Sequence, residues 1–509
     1  MSLLLGIDLG TSSLKSLIID EHGREIALCA MDYQFATPFN GYAEHDPKEW
    51  WDAAVKTVRE ALSKSGSKAE DIAALSFSGQ MHGLVALDKD YNVIRPSILH
   101  CDARSAEQVA CVREKFGPEK VSELMMNPVY SGFLLISLLW VRDNEPENYK
   151  KIAHVCLPKD YLKYRLTGVL SCDYSDASAT LAFDVKNVKW SEKILTELDI
   201  PAEIFPPCFD TCDVVGAVTA EAAAETGLKE GTKVVAGGGD QVMQGIGNGV
   251  IRPGDAIVNI GTSGQVSFQS DAPIVNPALS TNTFCGYAKG HWIVMGAIMN
   301  AGLCRKWCRS LMDSKTPYGE IDEAVKRVAP GSGGVIFFPY LNGERTPHLN
   351  PDLSGAFIGV NLKTGSAELS RAVMEGVCFA LRECIDLCGS MGLKPGSFLT
   401  ASGGGSRSLV WLQIQADIFN YPMRVTMSDE QACLGAAMAA GVGAGIFANL
   451  EEAAREVVRY KDLEVEPDAE KHSIYEEYYA LYRELFRSQE KALNSLTLLG
   501  RRVEKIYNT

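Results

Sequence analysis

The chain has 509 residues, which at roughly 100–200 residues per domain predicts two to four domains. Hydrophobic residues make up 46% and charged residues 22%, a balance that excludes a mostly disordered chain. The formal net charge of −15 argues against non-specific binding of nucleic acid or of an anionic membrane, and no apolar run approaches the roughly 20 residues that cross a bilayer.

The predicted elements of the first half alternate between strands and helices. Apolar runs bounded by turn signals predict strands over residues 3–8, 15–20, 25–33 and 73–77. Helical periodicity predicts helices over residues 46–62, 127–141, 158–166 and 191–198. Asp46 and Pro47 are typical of an N-cap followed by the first helical position.

The second half continues in the same way. The same signals predict strands over residues 255–260, 265–268 and 291–295, and helices over residues 301–311, 366–388, 406–419 and 430–441. A charged amphipathic tail predicts a last helix over residues 468–493 that packs on the outside. Because glycine is concentrated over residues 245–254, we expect a hinge there, and we predict domains over residues 1–249 and 250–447 followed by a helical extension over residues 448–509.

A short sequence recurs half a chain apart. Residues 6–15 read GIDLGTSSLK and residues 259–266 read NIGTSGQV, so Gly10 and Gly261 are 251 positions apart. In each copy an apolar strand is followed by Gly-Thr-Ser and by the start of a second strand. One short match could be chance, but the distance favours a duplicated domain.

The first hairpin has the composition of a phosphate-binding turn. A tight glycine turn directs backbone N–H groups to one point, and Thr11, Ser12, Ser13 and Lys15 add hydroxyl donors and a positive charge. Asp8 would repel a phosphate unless a cation such as Mg²⁺ lies between them, held by Asp8 through water. The alternative is an ordinary hairpin with a polar turn, and the second copy favours phosphate binding. The chain has neither a Walker loop nor a dinucleotide fingerprint.

A triple glycine precedes the carboxylate that we predict to be catalytic. Residues 234–248 read VVAGGGDQVMQGIGN, a strand that enters three glycines, Asp240 and a predicted helix. A helix N-terminus favours an ionised carboxylate, which could accept a proton from a hydroxyl as a general base. The alternative is a structural N-cap, which would not need three glycines.

Three further loops carry polar residues. Residues 401–408 read ASGGGSRS and predict a backbone that could lie against a ring or a phosphate, or an ordinary turn before a helix. Residues 78–84 read SGQMHGL, in which Gln80, Met81 and His82 suit a polyhydroxylated ligand, although a lone histidine is more often structural. In PYLNGERTPH, Glu344 and Arg345 could form an ion pair, and a structural role is favoured there.

The fourteen cysteines include no C-x-x-C pair, and the eight histidines include no H-E-x-x-H motif. Since the first residues lack the basic segment of a signal peptide, we expect a cytoplasmic protein whose reduced thiols pack in the core. We expect neither disulfides nor a structural transition metal.

The order of the motifs resembles that of the FGGY carbohydrate kinases, and within them the xylulokinases. The matching segments, spread over residues 6–441, are DLGTSS, GQMHG, LPKDYLKYRLTG, GGGD, IGTSG, PYLNGERTPH and GGGSRS. A C-terminal signature of the family is matched by Gly355, Phe357, Gly359, Val360, Glu368, Leu369, Ala372, Val373, Met374 and Glu375. The GQMHG segment favours xylulose over glycerol as the substrate.

The resemblance implies an α/β protein with the two-domain actin/hexokinase/Hsp70-like ATPase fold. Two ribonuclease H-like domains, each a five-stranded mixed β-sheet flanked by helices, would close on ATP and a sugar. Asp240 would be the catalytic base and Asp8 would serve Mg²⁺. The expected sugar contacts are Gln80, Met81, His82, Asp102, Arg104, Asp240 and Gln241. The expected ATP contacts are Thr11, Ser12, Ser13, Lys15, Gly261, Thr262, Gly302, Lys306, Gly404 and Ser408.

Five positions depart from the xylulokinase pattern. Gln241 replaces an Asn, His100 and Cys101 replace Trp and Asn, Ser137 replaces a Lys, and Leu134 replaces a small polar residue or Pro. Phosphorylation of D-xylulose to D-xylulose 5-phosphate is the expected activity, and a kinase for ribulose, another pentulose or a glycerol-like polyol is the alternative. An actin- or Hsp70-like ATPase is a remote alternative, which GQMHG argues against. The expected partners are the sugar and ATP, without nucleic acid or membrane, and a homodimer is compatible with the family.

Overall fold

The computed structural model describes residues 2–507. Its strands are β1 Leu3–Leu9, β2 Ser13–Asp20, β3 Glu25–Asp32, β4 Glu44–His45, β5 Ile72–Gly79, β6 Val85–Leu87, β7 Ser97–Ile98, β8 His154–Cys156, β9 Cys172–Asp173, β10 Phe183–Asp184, β11 Lys189–Trp190, β12 Cys208–Phe209, β13 Val214–Ala217, β14 Lys233–Val235, β15 Gly238–Gly239, β16 Ala256–Ile260, β17 Gly264–Ser270, β18 Asn282–Cys285, β19 Trp292–Ile298, β20 Ile336–Phe338, β21 Ala356–Ile358, β22 Leu399–Ser402, β23 Met423–Thr426 and β24 Tyr460–Val465.

Its helices are α1 Pro47–Ser65, α2 Ala106–Met125, α3 Leu134–Asn144, α4 Pro146–Tyr149, α5 Pro158–Thr167, α6 Tyr174–Ser178, α7 Glu192–Glu197, α8 Ala220–Thr226, α9 Asp240–Gly247, α10 Gly302–Met312, α11 Tyr318–Lys326, α12 Ser366–Ser390, α13 Leu409–Phe419, α14 Gln431–Ala444, α15 Leu450–Val457 and α16 Ala469–Tyr507. Short 3-10 helices cover Ala69–Asp71, Ala202–Ile204, Ser332–Gly334 and Gly404–Arg407. Gly117 has non-helical dihedral angles and breaks α2 into two segments.

The chain divides into two compact units. Unit 1 comprises Met1–Arg252, Gln269–Ile293 and Ser428–Arg459, and unit 2 comprises Pro253–Phe268, Val294–Met427 and Tyr460–Thr509. The backbone therefore returns to unit 1 twice. Helices α14 and α15 belong to unit 1, whereas the long helix α16 belongs to unit 2.

The sheet of unit 1 is mixed and has the strand order β13-β14-β5-β1-β2-β3, with β15 paired to β5. Strands β1, β2 and β3 form antiparallel hairpins, and β5 lies parallel to β1 and to β14. Strand β13 is antiparallel to β14 at the edge. The three consecutive hairpin strands confirm the sequence prediction for the first 33 residues.

Unit 2 repeats this topology, with its strands following one another in the order β19-β17-β16-β22-β23-β24. Strand β16 is antiparallel to β17 and parallel to β22, as β1 is antiparallel to β2 and parallel to β5. The five-stranded mixed arrangement that the family resemblance implied is present in each unit, and one antiparallel strand is added at an edge. The repeated Gly-Thr-Ser turns therefore join equivalent hairpins.

Glycines allow the helices of unit 1 to lie close to its sheet. Helix α14 packs on β1, β5 and α9. A Cβ at Gly6 would lie 2.0 Å from the carbonyl oxygen of Cys433, and a Cβ at Gly247 would lie 1.8 Å from that of Gln431. No side chain fits at either position, so these two contacts fix α14 against the strand and the helix that carry Asp8 and Asp240.

Most predicted helices and strands are present, with shifted ends. The helix predicted over residues 127–141 begins only at Leu134. Asn127 instead donates a hydrogen bond to the carbonyl of Thr283 at 2.7 Å, and Gly132 has φ +82°, which ends any helix that might include it. The helix predicted over residues 406–419 begins at Leu409, because Ser408 is its N-cap. The tail helix extends to Tyr507.

The fourteen cysteines are all free thiols in the part of the chain that the structure describes, and ten of them are buried. This agrees with the expected use of cysteine as a small core residue. Over residues 2–507, no helix combines the length and the apolar character that crossing a membrane would require.

Candidate active site

The triple glycine places Asp240 in unit 1 at the end of a strand and the start of a helix. Gly237 has φ +74°, and a Cβ there would lie 2.2 Å from the carbonyl oxygen of Phe77. Gly239 lies under Met81, whose Cγ would be 2.8 Å from a Cβ at this position. The glycines therefore let the strand approach β5 and bring Gly239, the residue before Asp240, next to Met81.

The pKa of Asp240 is displaced toward neutrality. Burial is the main cause and the nearby charge of Asp8 adds to it, which together raise the pKa of Asp240 to about 7. The Gln241 side chain lies next to this carboxylate and donates a hydrogen bond to its Oδ1 at 3.2 Å, which lowers the pKa. A carboxylate poised near neutral pH is suited to accept a proton as a general base.

Asp8 provides a donor for a cation at the end of β1. Burial raises the pKa of Asp8, although the nearby Ser78 side chain and the charge of Lys15 lower it. Its Oδ1 is buried without a hydrogen-bond partner among the residues that the structure describes. Asp8 therefore raises the pKa of Asp240 and keeps one carboxylate oxygen without a partner among the described residues. This donor set fits a hard divalent cation such as Mg²⁺, which prefers carboxylate oxygens and water.

The first hairpin is held in place by its neighbours. The N–H of Gly10 donates to the carbonyl of Ser13 at 2.9 Å, and the Tyr33 hydroxyl donates to the carbonyl of Gly10 at 2.7 Å. The Gln80 amide donates to the same carbonyl at 3.3 Å. Thr11 is half-buried and Ser12 is exposed, so the turn presents hydroxyls to solvent. Gln80 therefore contacts this turn, a role that the sequence did not suggest.

Lys15 has a partner that sequence reasoning missed. Its Nζ lies 2.6 Å from Oε2 of Glu430, the residue that precedes α14. Burial lowers the pKa of Lys15, but the Glu430 carboxylate raises it by more, so the ammonium stays charged. The two residues are 415 positions apart, and no local pattern links them. Glu430 is therefore an additional residue of the candidate site.

His82 is oriented by unit 1 itself. Its backbone has φ +75°, which is uncommon for a residue with a side chain. Its Nδ1 donates to the carbonyl of Ala179 at 2.7 Å, and its ring lies 4.1 Å from that of Phe133. The carbonyl fixes the tautomer with the hydrogen on Nδ1, so Nε2 is an acceptor in the neutral ring.

Asp102 and Arg104, expected to contact the sugar, bind each other. Arg104 Nη2 lies 2.7 Å from Asp102 Oδ2, and its Nη1 lies 2.6 Å from Glu44 Oε1. The guanidinium also lies 3.7 Å from the centre of the Tyr42 ring, and Asp102 accepts the N–H of Ala43. Both side chains are almost fully buried, and this geometry favours a role in holding the surrounding loops.

The predicted nucleotide residues of unit 2 gather around the second hairpin. The N–H of Gly302 donates to the carbonyl of Gly261 at 2.8 Å, and the N–H of Leu303 donates to Thr262. A Cβ at Gly302 would lie 2.4 Å from the Gly261 oxygen, so α10 begins in direct contact with the turn. The turn also lies beside the GGGSRS loop, because a Cβ at Gly403 would lie 2.6 Å from the carbonyl oxygen of Ile260.

The remaining predicted residues of unit 2 differ in their surroundings. Lys306 is exposed on α10. Gly404 opens the 3-10 helix, and Ser408 is buried with its Oγ accepting the N–H of Trp411 at 3.2 Å, so it caps α13. Glu344 is buried and accepts two backbone N–H groups, and burial raises its pKa to about 8. This environment supports the structural interpretation of Glu344.

Known proteins match the chain over nearly its whole length. It is 35% identical over 495 residues to a xylulose kinase of Bacillus subtilis (strain 168), which covers 97% of this chain and 98% of that protein. A ligand-bound xylulose kinase structure from Lactobacillus acidophilus has a TM-score of 0.91 at 26% identity, covering 97% and 100% of the two chains. A gluconate kinase structure from the same species has a TM-score of 0.92 at 26% identity, covering 97% and 99%.

Two family models match consecutive parts of the sequence. Residues 3–247 match the N-terminal domain of the FGGY family of carbohydrate kinases, and residues 256–444 match the C-terminal domain. The solved relatives have the same two-domain α/β architecture with mixed sheets. The chain belongs to the FGGY family of carbohydrate kinases.

Proposed function

We propose that this carbohydrate kinase transfers the γ-phosphoryl group of ATP to the terminal hydroxyl of D-xylulose, forming D-xylulose 5-phosphate. The observation that carries the proposal is Asp240, a carboxylate at the start of α9 with a pKa raised to about 7 beside Asp8. The full-length similarity to a xylulose kinase supports D-xylulose as the acceptor.

In this proposal Asp240 is the general base. It accepts the proton of the terminal hydroxyl, the sugar oxygen bonds to the γ-phosphorus, and the bond from that phosphorus to the bridging oxygen breaks, which releases ADP. Gln80, Met81, His82 and Gln241 would bind the sugar. Asp102 and Arg104, whose charges already satisfy each other, would shape this part of the site rather than provide its strongest contacts.

The proposed nucleotide contacts are Thr11, Ser12, Ser13 and Lys15 in unit 1, and Gly261, Thr262, Gly302, Lys306, Gly404 and Ser408 in unit 2. Lys15 would supply positive charge to the phosphates, with Glu430 fixing its side chain. Backbone N–H groups of the glycine turns would supply donors without added charge.

We also propose that Asp8 holds Mg²⁺, directly or through water. Bound Mg²⁺ would offset the phosphate charge that develops during transfer. Asp8 suits this role because its Oδ1 is buried and lacks a partner among the described residues.

We further propose that the protein acts in the cytoplasm and that it functions as a homodimer. In this proposal residues 1–249 carry the sugar site, residues 250–447 carry the adenosine site, and residues 448–509 form a helical extension.

The identity of the phosphoryl acceptor can be tested with a panel of sugars and polyols. Production of ADP, coupled to pyruvate kinase and lactate dehydrogenase, is measured with D-xylulose, D-ribulose, glycerol, D-gluconate and no sugar. We expect kcat/KM to be highest for D-xylulose. Gluconate is included because a gluconate kinase has a similarly close structure. If kcat/KM were highest for gluconate or another acceptor, D-xylulose would be rejected as the substrate. If ATP turnover were equally fast without any sugar, the proposal that the protein is a sugar kinase would be rejected.

The Asp240→Asn variant tests whether Asp240 acts as the general base. The amide keeps the size of the side chain but accepts no proton, so kcat should fall by about 10³-fold. The thermal midpoint and ATP binding should stay close to those of the wild-type protein. Near-normal turnover by this variant would reject Asp240 as the general base.

A further inference from the structure

A cluster of buried charges lies in unit 1 and takes no part in the mechanism above. Lys159 and Asp160 come from α5, Asp173 from β9 and Asp176 from α6, and their side chains are fully buried. The Nζ of Lys159 lies 2.8 Å from both Asp160 Oδ1 and Asp176 Oδ2 and also contacts Asp173. Lys163 joins the cluster through Asp160 at 3.0 Å. The Lys159 ammonium therefore contacts all three aspartate side chains and supplies the positive charge at the centre of the cluster.

The charges within the cluster offset one another. Burial lowers the pKa of Lys159, but its three aspartate neighbours raise it well above the ordinary value, so this lysine stays charged. Burial is also the main effect on Asp176 and raises its pKa well above the ordinary value. Opposite charges in direct contact offset part of the cost of burying each other.

One hydrogen-bonded path leads from this cluster to the residue before Asp240. Asp173 Oδ1 accepts the N–H groups of Ser175 at 3.0 Å and of Asp176 at 3.1 Å, and it also accepts the Ser175 hydroxyl proton. The Ser175 Oγ in turn accepts the N–H of Gly239 at 2.9 Å. Ser175 thus both donates and accepts, which fixes the orientation of its hydroxyl and aims a lone pair at Gly239.

Packing leaves this path little room to move. Strand β15 pairs Gly239 with Gly79 of β5. A Cβ at Gly79 would lie 2.7 Å from Cβ of Lys159, and a Cβ at Gly238 would lie 3.1 Å from Ser175 Oγ. The alkyl chain of Lys159 therefore packs against Gly79 of β5. Its ammonium binds Asp173, which in turn binds the Ser175 hydroxyl that accepts the N–H of Gly239 in β15.

We propose that Ser175 is a positioning residue for Asp240, and that the Lys159–Asp173 ion pair holds it in place. Its hydroxyl fixes the Gly239 N–H and so sets where α9 begins and where the Asp240 carboxylate lies. This inference rests on the proposed role of Asp240. A displacement of about 1 Å at a catalytic group can lower turnover by about 10²-fold.

Ser175→Ala tests the proposal because it removes the acceptor of the Gly239 N–H. It also removes the hydroxyl that donates to Asp173, but every ion pair of the cluster keeps both its partners. We expect kcat to fall by about ten- to a hundredfold while the KM for the sugar changes by less than about threefold. Ser178→Ala is the matched control. Ser178 is buried on the same helix and makes two hydrogen bonds of similar length, to the backbone carbonyl of Ser175 and from the N–H of Cys285. Neither bond involves the Ser175 hydroxyl or Gly239. This control should keep the wild-type kcat.

Hydrogen–deuterium exchange gives a readout that does not depend on turnover. In Ser175→Ala, a peptide covering residues 236–243 should exchange at least about tenfold faster, and in Ser178→Ala its exchange should match that of the wild-type protein. If Ser175→Ala does not fold, Ser175→Cys, which has nearly the same shape and a weaker acceptor, is measured in the same two ways.

The outcomes separate the two proposals. If the wild-type protein phosphorylates no sugar of the panel, the proposed function fails, and exchange still decides the role of Ser175. Wild-type kcat and wild-type exchange in the Ser175 variant would overturn the positioning role. A loss of kcat in Ser178→Ala equal to that in Ser175→Ala would overturn it as well, because the effect would then follow from damage to α6.

Discussion

Replacing Gly239 by Ala should weaken sugar binding without unfolding the protein. Gly239 has φ −60° and ψ 150°, angles that any residue adopts, so the added methyl causes no backbone strain. The new Cβ would lie 2.8, 2.9 and 3.0 Å from Cγ, Sδ and Cε of Met81. Since ordinary contacts begin near 3.5 Å, the end of Met81 must move by roughly 0.5–1 Å.

The size of the effect follows from the flexibility of Met81. A methionine has three rotatable bonds and can move aside. We therefore expect the free energy of unfolding to fall by about 1 kcal/mol, the lower limit of the usual cost of overpacking a core. The displaced thioether would occupy space assigned to the sugar. A loss of about 1.4 kcal/mol of binding corresponds to a tenfold increase in KM, which we expect for D-xylulose with a smaller change in kcat.

Steady-state kinetics by the coupled ADP assay and thermal unfolding measure the two effects. Gly245→Ala in α9, the helix that follows Gly239, is the control, because its Cβ would meet atoms only at 3.4 Å and should leave KM unchanged. In a Met81→Ala background the effect of Gly239→Ala on KM should disappear. An unchanged KM for D-xylulose in a well-folded Gly239→Ala protein would show that displacing Met81 does not weaken sugar binding. An equally large increase in KM when Gly239→Ala is made in the Met81→Ala background would show that the effect does not act through Met81.

Three other results are expected. With the pKa of Asp240 raised to about 7 and its ionised form active, kcat/KM should fall about tenfold per pH unit below pH 7; a flat profile down to about pH 5.5 would contradict this. Glu430→Gln should raise the KM for ATP severalfold because Lys15 loses its partner, while stability changes by at most about 1 kcal/mol since the pair is partly exposed; an unchanged KM would remove Glu430 from the site. Gly237→Ala should lower the thermal midpoint, because φ is +74° and the new Cβ would lie 2.2 Å from a carbonyl oxygen; a wild-type midpoint would contradict the need for glycine there.

Local patterns in the sequence predicted the parts of the site that lie within short segments. The two Gly-Thr-Ser turns are equivalent hairpins, and Asp240 begins a helix after a short strand and the triple glycine. These features depend on glycine positions and strand periodicity, which neighbouring residues determine. The family motifs then added roles that spacing alone left open.

Contacts between distant segments could not be predicted in this way. Lys159 lies in a charged segment, PKDYLKYRLT, where a lysine is normally exposed, and only the approach of β9 and α6 turns it into the centre of a buried cluster. The ion pair of Lys15 with Glu430 has the same origin, because α14 returns to unit 1 after most of unit 2.

The late position of α14 in the chain has a consequence for biosynthesis. Gly6 and Gly247 contact the segment Ser428–Arg459, yet residues 253–427, a stretch of 175 residues (427 − 252), are translated before it. At 5–20 residues per second, a ribosome needs roughly 9–35 s for that stretch. During this interval we expect the face of the sheet that α14 later covers to stay exposed in the nascent chain, where chaperones could bind it, and we expect truncation before Ser428 to leave an aggregation-prone fragment.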